Sequence, residues 1–229
     1  MKLKAIFTAS DEQEDQWISI SDMMAGLMMI FLIIAIINLQ KLQSKVDEFN
    51  ILQDDIYDDL YAEFKDDLEN WSAKINKDTL TISFREPKIQ FDTGKSFVKE
   101  EFKLILSNFF PRYLNVLKNY NQEIEEIRIE GHTSSSWENA LNVDEAYLNN
   151  MSLSQDRSKQ VLIYSLGLNL DENKNWAKNL IIANGLSSSK LLFRENSNIE
   201  DAIRSQRTEF RVKVDSTSVL RAIKKRNEN

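Results

Sequence analysis

An aspartate heads the most apolar stretch of the chain. In "SISDMMAGLMMIFLIIAIINLQ", residues 19–40, Asp22 is followed from Met23 to Ile37 by neither a charge nor a proline. As a helix that run covers only about 22 Å at ~1.5 Å per residue. A bilayer core is about 30 Å thick and needs roughly 20 residues to span. The segment reaches that length only if the helix begins near Trp17, which takes Asp22 into the apolar layer near one edge. An ionised Asp at a helix centre costs about 2.5–3.5 kcal/mol and each Leu, Ile or Phe returns about 0.3–0.6, so Leu27, Ile30, Phe31, Leu32, Ile33, Ile34, Ile36 and Ile37 together return roughly 2.5–5 kcal/mol and the segment can insert despite Asp22. Carboxyls inside membranes face a partner helix or a water path and pass protons or ions along it. Ala25, Gly26, Met29 and Ile33 share the helical face of Asp22, and the small Ala25 and Gly26 let another helix approach closely. The alternative is a helix cap in the headgroup region beside Ser19 and Ser21.

The other groups with chemical potential are poorly supported as catalysts. His132 is the sole histidine and has no companions at metal-ligand spacing, so a packed turn residue is expected and no metal. Ser134, Ser135 and Ser136 follow it, yet no G-x-S-x-G or third group accompanies them. No enzyme activity and no cofactor are expected. The acids between Asp47 and Glu69 lack the D-x-D-x-D-G pattern of a calcium loop and read as a solvated helix face.

The composition narrows the class. The chain has 229 residues, 28% of them charged, with a net charge of −7, which argues against nucleic acid as a partner. It has no cysteine, hence neither a disulfide nor a thiolate metal site. Asp11, Glu12, Glu14 and Asp15 precede the apolar run and no A-x-A site follows, so the run reads as a retained single-pass anchor rather than a cleaved signal. Lys2 and Lys4 on one side nearly balance Lys41 and Lys45 on the other, so charge leaves the orientation open.

The elements that would position these residues follow from periodicity. Leu39, Leu42, Val46, Phe49, Leu52, Ile56, Leu60, Phe64, Leu68 and Trp71 recur at steps of three and four, the pattern of a helix continuing from the membrane. Parallel coiling with a second copy is the simplest partner for that stripe. Beyond Asp78, "TLTISF" and "IQF" read as strands, "DTGKS" as a turn and 97–119 as a helix bent or ended by Pro111. "IEEIRIEGHT" reads as a strand, 149–166 as a helix, "ENKNWAKNLIIANG" as a short helix ended by Gly185, and "TEFRVKV" as a strand; the basic tail is expected to fray. This is α/β: an anchor helix, a helical coiled linker, then a sandwich of one mixed sheet and one helical layer. No internal repeat is present.

Four motifs in order carry a family likeness. "FDTGKS" (91–96), "IEGHT" (129–133), "NMSLSQDR" (150–157) and "RTEFRVKV" (207–214) resemble the OmpA-like peptidoglycan-binding domain. Upstream, "WISISDMMAGLMMIFL" resembles the membrane helix of MotB-like stator subunits, and its "WISISDMM" form is most similar to B subunits of Zorya anti-phage defence systems; flagellar stators are the second resemblance. The likeness implies an ion-driven stator subunit, with the proton as the expected ion, in which Asp22 carries the ion. Two copies would sit within a ring of five polytopic MotA-like subunits, with phage perturbation of the envelope triggering effector recruitment; a passive membrane-to-wall tether is the remaining alternative.

The likeness also implies an inner-membrane protein organised as a cytoplasmic tail (1–16), a transmembrane helix (17–39), a dimeric linker (40–74), a periplasmic OmpA-like domain (75–216) and a C-terminal tail (217–229). Its peptidoglycan site would use Arg157 on a stem-peptide carboxylate, with Thr133, Ser134, Asn150 and Leu153 shaping the pocket, Asp92 nearby and Arg207 at the last strand. The family's "GHTD", whose acid meets the stem amine, is "GHTS" here. Ser134 replaces that acid, and Asp144 or Glu138 from the longer 134–150 loop are the candidates to substitute for it. The family's "NRR" is "SQR", so only Arg207 matches there.

Overall fold

The computed structural model describes residues 3–170 and 173–215, and the chain divides into two compact units, Met1–Glu48 and Phe49–Asn229. The expected fraying of 217–229 lies outside the described residues. Helix α1, Leu3–Phe64, contains the one segment among the described residues long and apolar enough to cross a membrane. In the first unit its large apolar side chains from Met23 to Ile37 are exposed.

The stripe expected to coil with a second copy is divided. Leu39, Leu42 and Val46 are exposed, whereas Ile56, Leu60 and Phe64 are fully buried in the core of the second unit. Spaced by four, these three occupy one helix face, and Phe64 meets Phe109 at 5.1 Å between ring centroids. Polar contacts fasten the same turns. Arg112, in the helix Glu100–Lys118, reaches Glu63 Oε1 at 2.6 Å and Asp67 Oδ2 at 2.8 Å, and Tyr120 donates to Asp59 Oδ2 at 2.6 Å. The acids of this face are therefore only partly solvent-facing, and of the residues 40–74 expected as a linker, those from Phe49 onward fall in the second compact unit.

Five strands form one sheet in the order β1-β2-β5-β3-β4: β1 Ala73–Asn76, β2 Thr81–Phe84, β3 Ile124–His132, β4 Ile181–Gly185 and β5 Arg207–Val214. All neighbours are antiparallel except β3 and β4. The parallel pair needs a crossover, which α4 (Val143–Gly167) and α5 (Asn173–Leu180) supply. Helix α3, Glu100–Lys118, buries Phe102, Leu106, Phe109, Phe110, Tyr113, Leu114 and Leu117 against Ile82, Phe84, Ile129, Phe210 and Val212. Phe109 lies 5.0 Å from the rings of both Tyr113 and Phe210. The mixed sheet with one helical layer is as expected.

Several local expectations differ. "IQF" is not a strand: Pro87–Gln90 forms the one-turn helix α2, with Pro87 at its first position, where a fixed φ and a missing N–H cost nothing. Pro111 neither bends α3 to an end nor stops it; the buried residues on both sides hold the helix to Lys118. Helix α4 starts at Val143, not 149, because Asn142 accepts from the Glu145 N–H at 2.9 Å and caps it. The loop after Ser134 is correspondingly shorter. "IIANG" is strand β4 rather than helix, its β-branched Ile181 and Ile182 pairing in parallel with Ile127 and Arg128.

Candidate functional site

Helix α4 turns a small, polar face toward the sheet: Asn150, Ser154, Arg157, Ser158 and Ser165 are all buried. It can lie this close because β3 and β4 present glycines. A Cβ on Gly131 would collide with the Ser154 carbonyl, and one on Gly185 with the Gln155 backbone. Gln155 then spans to β4, donating to Ala183 O at 3.1 Å and accepting from the Gly185 N–H at 2.7 Å.

Arg157 is the chemical centre of this face. Its Nε donates to Lys95 O at 2.9 Å and Nη2 to Asp92 O at 3.2 Å, and its guanidinium carbon sits 4.8 Å from the Phe91 ring centroid. The 92–95 turn that aims these carbonyls places Gly94 at φ +68°, a conformation glycine adopts without penalty. No described carboxylate pairs with Arg157. The Asp92 carboxylate faces Lys95 and Lys99 instead, at 3.7 and 3.8 Å. Burial pushes Arg157 down to about 10, so it stays charged at neutral pH. A desolvated cation fixed by carbonyls and an aromatic face is preorganised for an anion and matches a carboxylate through its planar fork.

Asn150, two helical turns before Arg157, donates to Ser136 O at 3.2 Å. Ser136 Oγ lies 3.3 Å from Ser134 Oγ. The Thr133 N–H donates to Ser187 O at 3.0 Å, and Thr133 Oγ1 is buried without a partner. Leu153 is half-buried on the same helix. The structure therefore ties Asn150 to the turn after β3, and sets Arg157 with the backbone of Asp92 on the same helix face. Among the described residues neither Asp144 nor Glu138 makes a hydrogen bond or ion pair to that turn. The acid that does reach it is Glu200, which accepts from the Ser135 N–H at 3.0 Å and from the Ser135 hydroxyl. Nothing near Glu200 in sequence marks it; an isolated bridge between Phe193 and Glu200 delivers it.

Arg207 belongs elsewhere. Gly131 faces α4, so its neighbours Glu130 and His132 point to the opposite sheet face, and Arg207 is registered across from His132. Its Nε donates to Glu209 Oε1 at 2.6 Å, and Nη1 to Lys190 O and Ser205 O at 3.2 and 3.0 Å. It is an internal ion-pair residue and is not brought to the Arg157 face.

His132 does have companions, contrary to the sequence expectation. Its Nε2 lies 3.3 Å from Glu209 Oε2 and 3.9 Å from Glu130 Oε2, all three residues buried. By type this trio could ligate a metal. The space between the two carboxylates is already served by Arg211 Nη2, 3.3 Å from Glu130 and 3.5 Å from Glu209. Burial alone would raise Glu209; His132 and Arg207 overcome it and hold the carboxyl far below its ordinary range. The cluster reads as an ion-pair network that lets acids lie within a sheet. Asp22 stands in α1 of the first unit, exposed and followed by the uncharged run.

No family model matches the sequence. The fold is that of the MotB-like class: a MotB-like protein from Desulfovibrio vulgaris superposes with a TM-score of 0.52 at 21% identity, over 74% of this chain and 98% of that one. The sequence narrows this further. It is 41% identical to the Zorya protein ZorB of Escherichia coli, Crooks strain, over 93% of this chain and 94% of that protein. It is 25% identical to a second Zorya protein ZorB, from Escherichia coli O139:H28, over 90% of this chain and 81% of that protein. The chain belongs to the ZorB family.

Proposed function

We propose that this protein is an ion-driven stator subunit that is fixed to peptidoglycan and works in anti-phage defence. Asp22 carries the observation on which this rests: one carboxyl at the head of an uncharged segment in a helix of membrane-crossing length. In this reading α1 places Asp22 against a polytopic MotA-like partner, and protonation and release of the carboxyl couple ion flow to motion. Each charge crossing 100 mV supplies about 2.3 kcal/mol. Two copies pair in parallel, the N-terminus is cytoplasmic and the α/β domain is periplasmic at the inner membrane. The protein binds and transmits; it is not a catalyst.

The wall attachment uses the α4 face. Arg157 takes a stem-peptide carboxylate, Asn150, Leu153 and Thr133 shape the pocket, and Glu200 beside Ser134 and Ser135 stands in for the acid absent at 134. Affinity purification of the full chain from membranes tests the assembly: a polytopic membrane protein should copurify in excess over this chain. Recovery of the chain alone under mild detergent, together with loss of binding to purified sacculi, would remove the stator reading.

A further inference from the structure

The sheet face turned away from α4 is polar, and its register arranges it in three rows across β2, β5 and β3. Thr81, Arg211 and Arg128 form one row and Ser83, Glu209 and Glu130 the next. One residue beyond the Phe84–Thr208 pair stand Arg85, just past the end of β2, and Arg207, which pairs with His132. The acids of the middle row are matched: Arg207 and Arg211 hold Glu209, Arg211 also reaches Glu130, and Ser83 donates to Glu209 at 2.9 Å.

Arg85 is left over. Its backbone N–H donates to Ser72 O at 3.1 Å, yet its side chain has no ion-pair or hydrogen-bond partner among the described residues, and its Nε is buried with no acceptor. Burial weakens its hold on a proton, and the charges of Arg204 on α6 (Ala202–Ser205) and of Arg207 add to that repulsion, with Glu209 opposing. Arg204 is only loosely paired, its Nη1 being 3.9 Å from Asp201 Oδ2. Arg85 Nε is a buried donor without an acceptor, one residue past the Phe84–Thr208 pair, and Arg204 stands three residues before Arg207 on the neighbouring segment; such a donor lacks an anion.

We infer that Arg85 and Arg204, at the edge of the Arg207 row, form an oxyanion site for a phosphate group, on the sheet face opposite Arg157. Phosphate fits because it spreads two negative charges over several acceptors and takes paired N–H donors from guanidinium forks. The phosphate can come from a lipid headgroup or from free phosphate; the recognising chemistry is the same.

The test uses the full chain in neutral detergent. Sodium phosphate, sodium acetate and sodium chloride are titrated calorimetrically at constant ionic strength, and Tm is followed in parallel. Phosphate should bind and raise Tm, as any ligand selective for the folded state does. Arg85→Gln and Arg204→Gln should each weaken phosphate about ten-fold or more, and Lys213→Gln, a cation on another part of β5 paired with Glu125, should not. Arg85→Gln should also raise the Tm of the phosphate-free protein by removing repulsion, which a purely structural arginine would not do. If Arg85→Gln fails to fold, Arg204→Gln decides, since its side chain is 43% exposed. Parent-like phosphate binding by Arg204→Gln, or acetate or chloride binding as well as phosphate, overturns the site. A headgroup arm then separates sources: glycerol 3-phosphate binding tighter than inorganic phosphate, and lost in both variants, assigns a lipid headgroup, and absence of glycerol 3-phosphate binding with intact phosphate binding assigns the free ion.

Discussion

Arg157 Nε lies 2.9 Å from the carbonyl oxygen of Lys95, which orients a buried guanidinium without neutralising it. Because carbonyls rather than carboxylates hold Arg157, its charge is available to a ligand. Arg157→Ala should lower sacculus binding by about 1.5–3 kcal/mol, roughly ten- to a hundred-fold. Arg157→Lys should be nearly as harmful, since an ammonium cannot donate to two carbonyls and a ligand with the same planar geometry. Co-sedimentation with purified sacculi measures both.

Glu200 pins Ser135, the residue next to Ser134. Glu200→Gln should weaken sacculus binding several-fold while leaving Tm within a few degrees. The same co-sedimentation series, with a thermal melt, separates loss of the carboxylate from loss of the fold.

Gly131 and Gly185 let α4 approach the sheet. Gly131→Ala and Gly185→Ala each force backbone apart and should destabilise the domain by about 1–3 kcal/mol or more. Denaturant midpoints give the value. Arg157 should lose ligand affinity in parallel, because the helix that carries it is displaced.

Glu209 is held ionised far below the ordinary carboxylate range by His132 and Arg207 against the cost of burial. A carboxyl depressed in the folded state contributes stability that is complete above its unfolded value of 4.5 and is lost as pH falls toward its folded value. Tm should therefore drop steeply below about pH 4.5. Glu209→Gln should be less stable at pH 7 and show a flatter acid limb, read by calorimetry from pH 7 to 3.

Cysteine cross-linking distinguishes the two halves of the α1 stripe. Substitutions at Leu39, Leu42 and Val46 should cross-link between copies in a membrane dimer, and those at Ile56, Leu60 and Phe64, buried in the chain's own core, should not. The absence of native cysteines makes the background clean.

Much of the domain could be read from periodicity because β3 and β5 alternate and α3 carries a strong apolar face. The stripe from Leu39 to Trp71 was equally clear, but periodicity shows only that a face is covered, not by what; Ile56, Leu60 and Phe64 lie in the domain's own core, Phe64 against Phe109 of α3. Strand β4 was misread because its five residues follow a helix without a break, and its pairing partner lies more than fifty residues earlier. Arg157, Asn150 and Thr133 were visible through motif resemblance. Glu200 and the Arg85 row were not, since their neighbours come from cross-strand register and from a loop bridge, which leave no local signal. Arg207 matched a motif whose role here is to neutralise Glu209.

The central claim rests on Asp22, and phage protection by cells carrying Asp22→Asn beside the complete system tests it most directly. Asparagine keeps size and polarity but cannot cycle a proton. The account predicts plating efficiency equal to cells lacking the system, with the variant present in the membrane at the parent level and copurifying with the same partner. Parent-level protection by Asp22→Asn would contradict it.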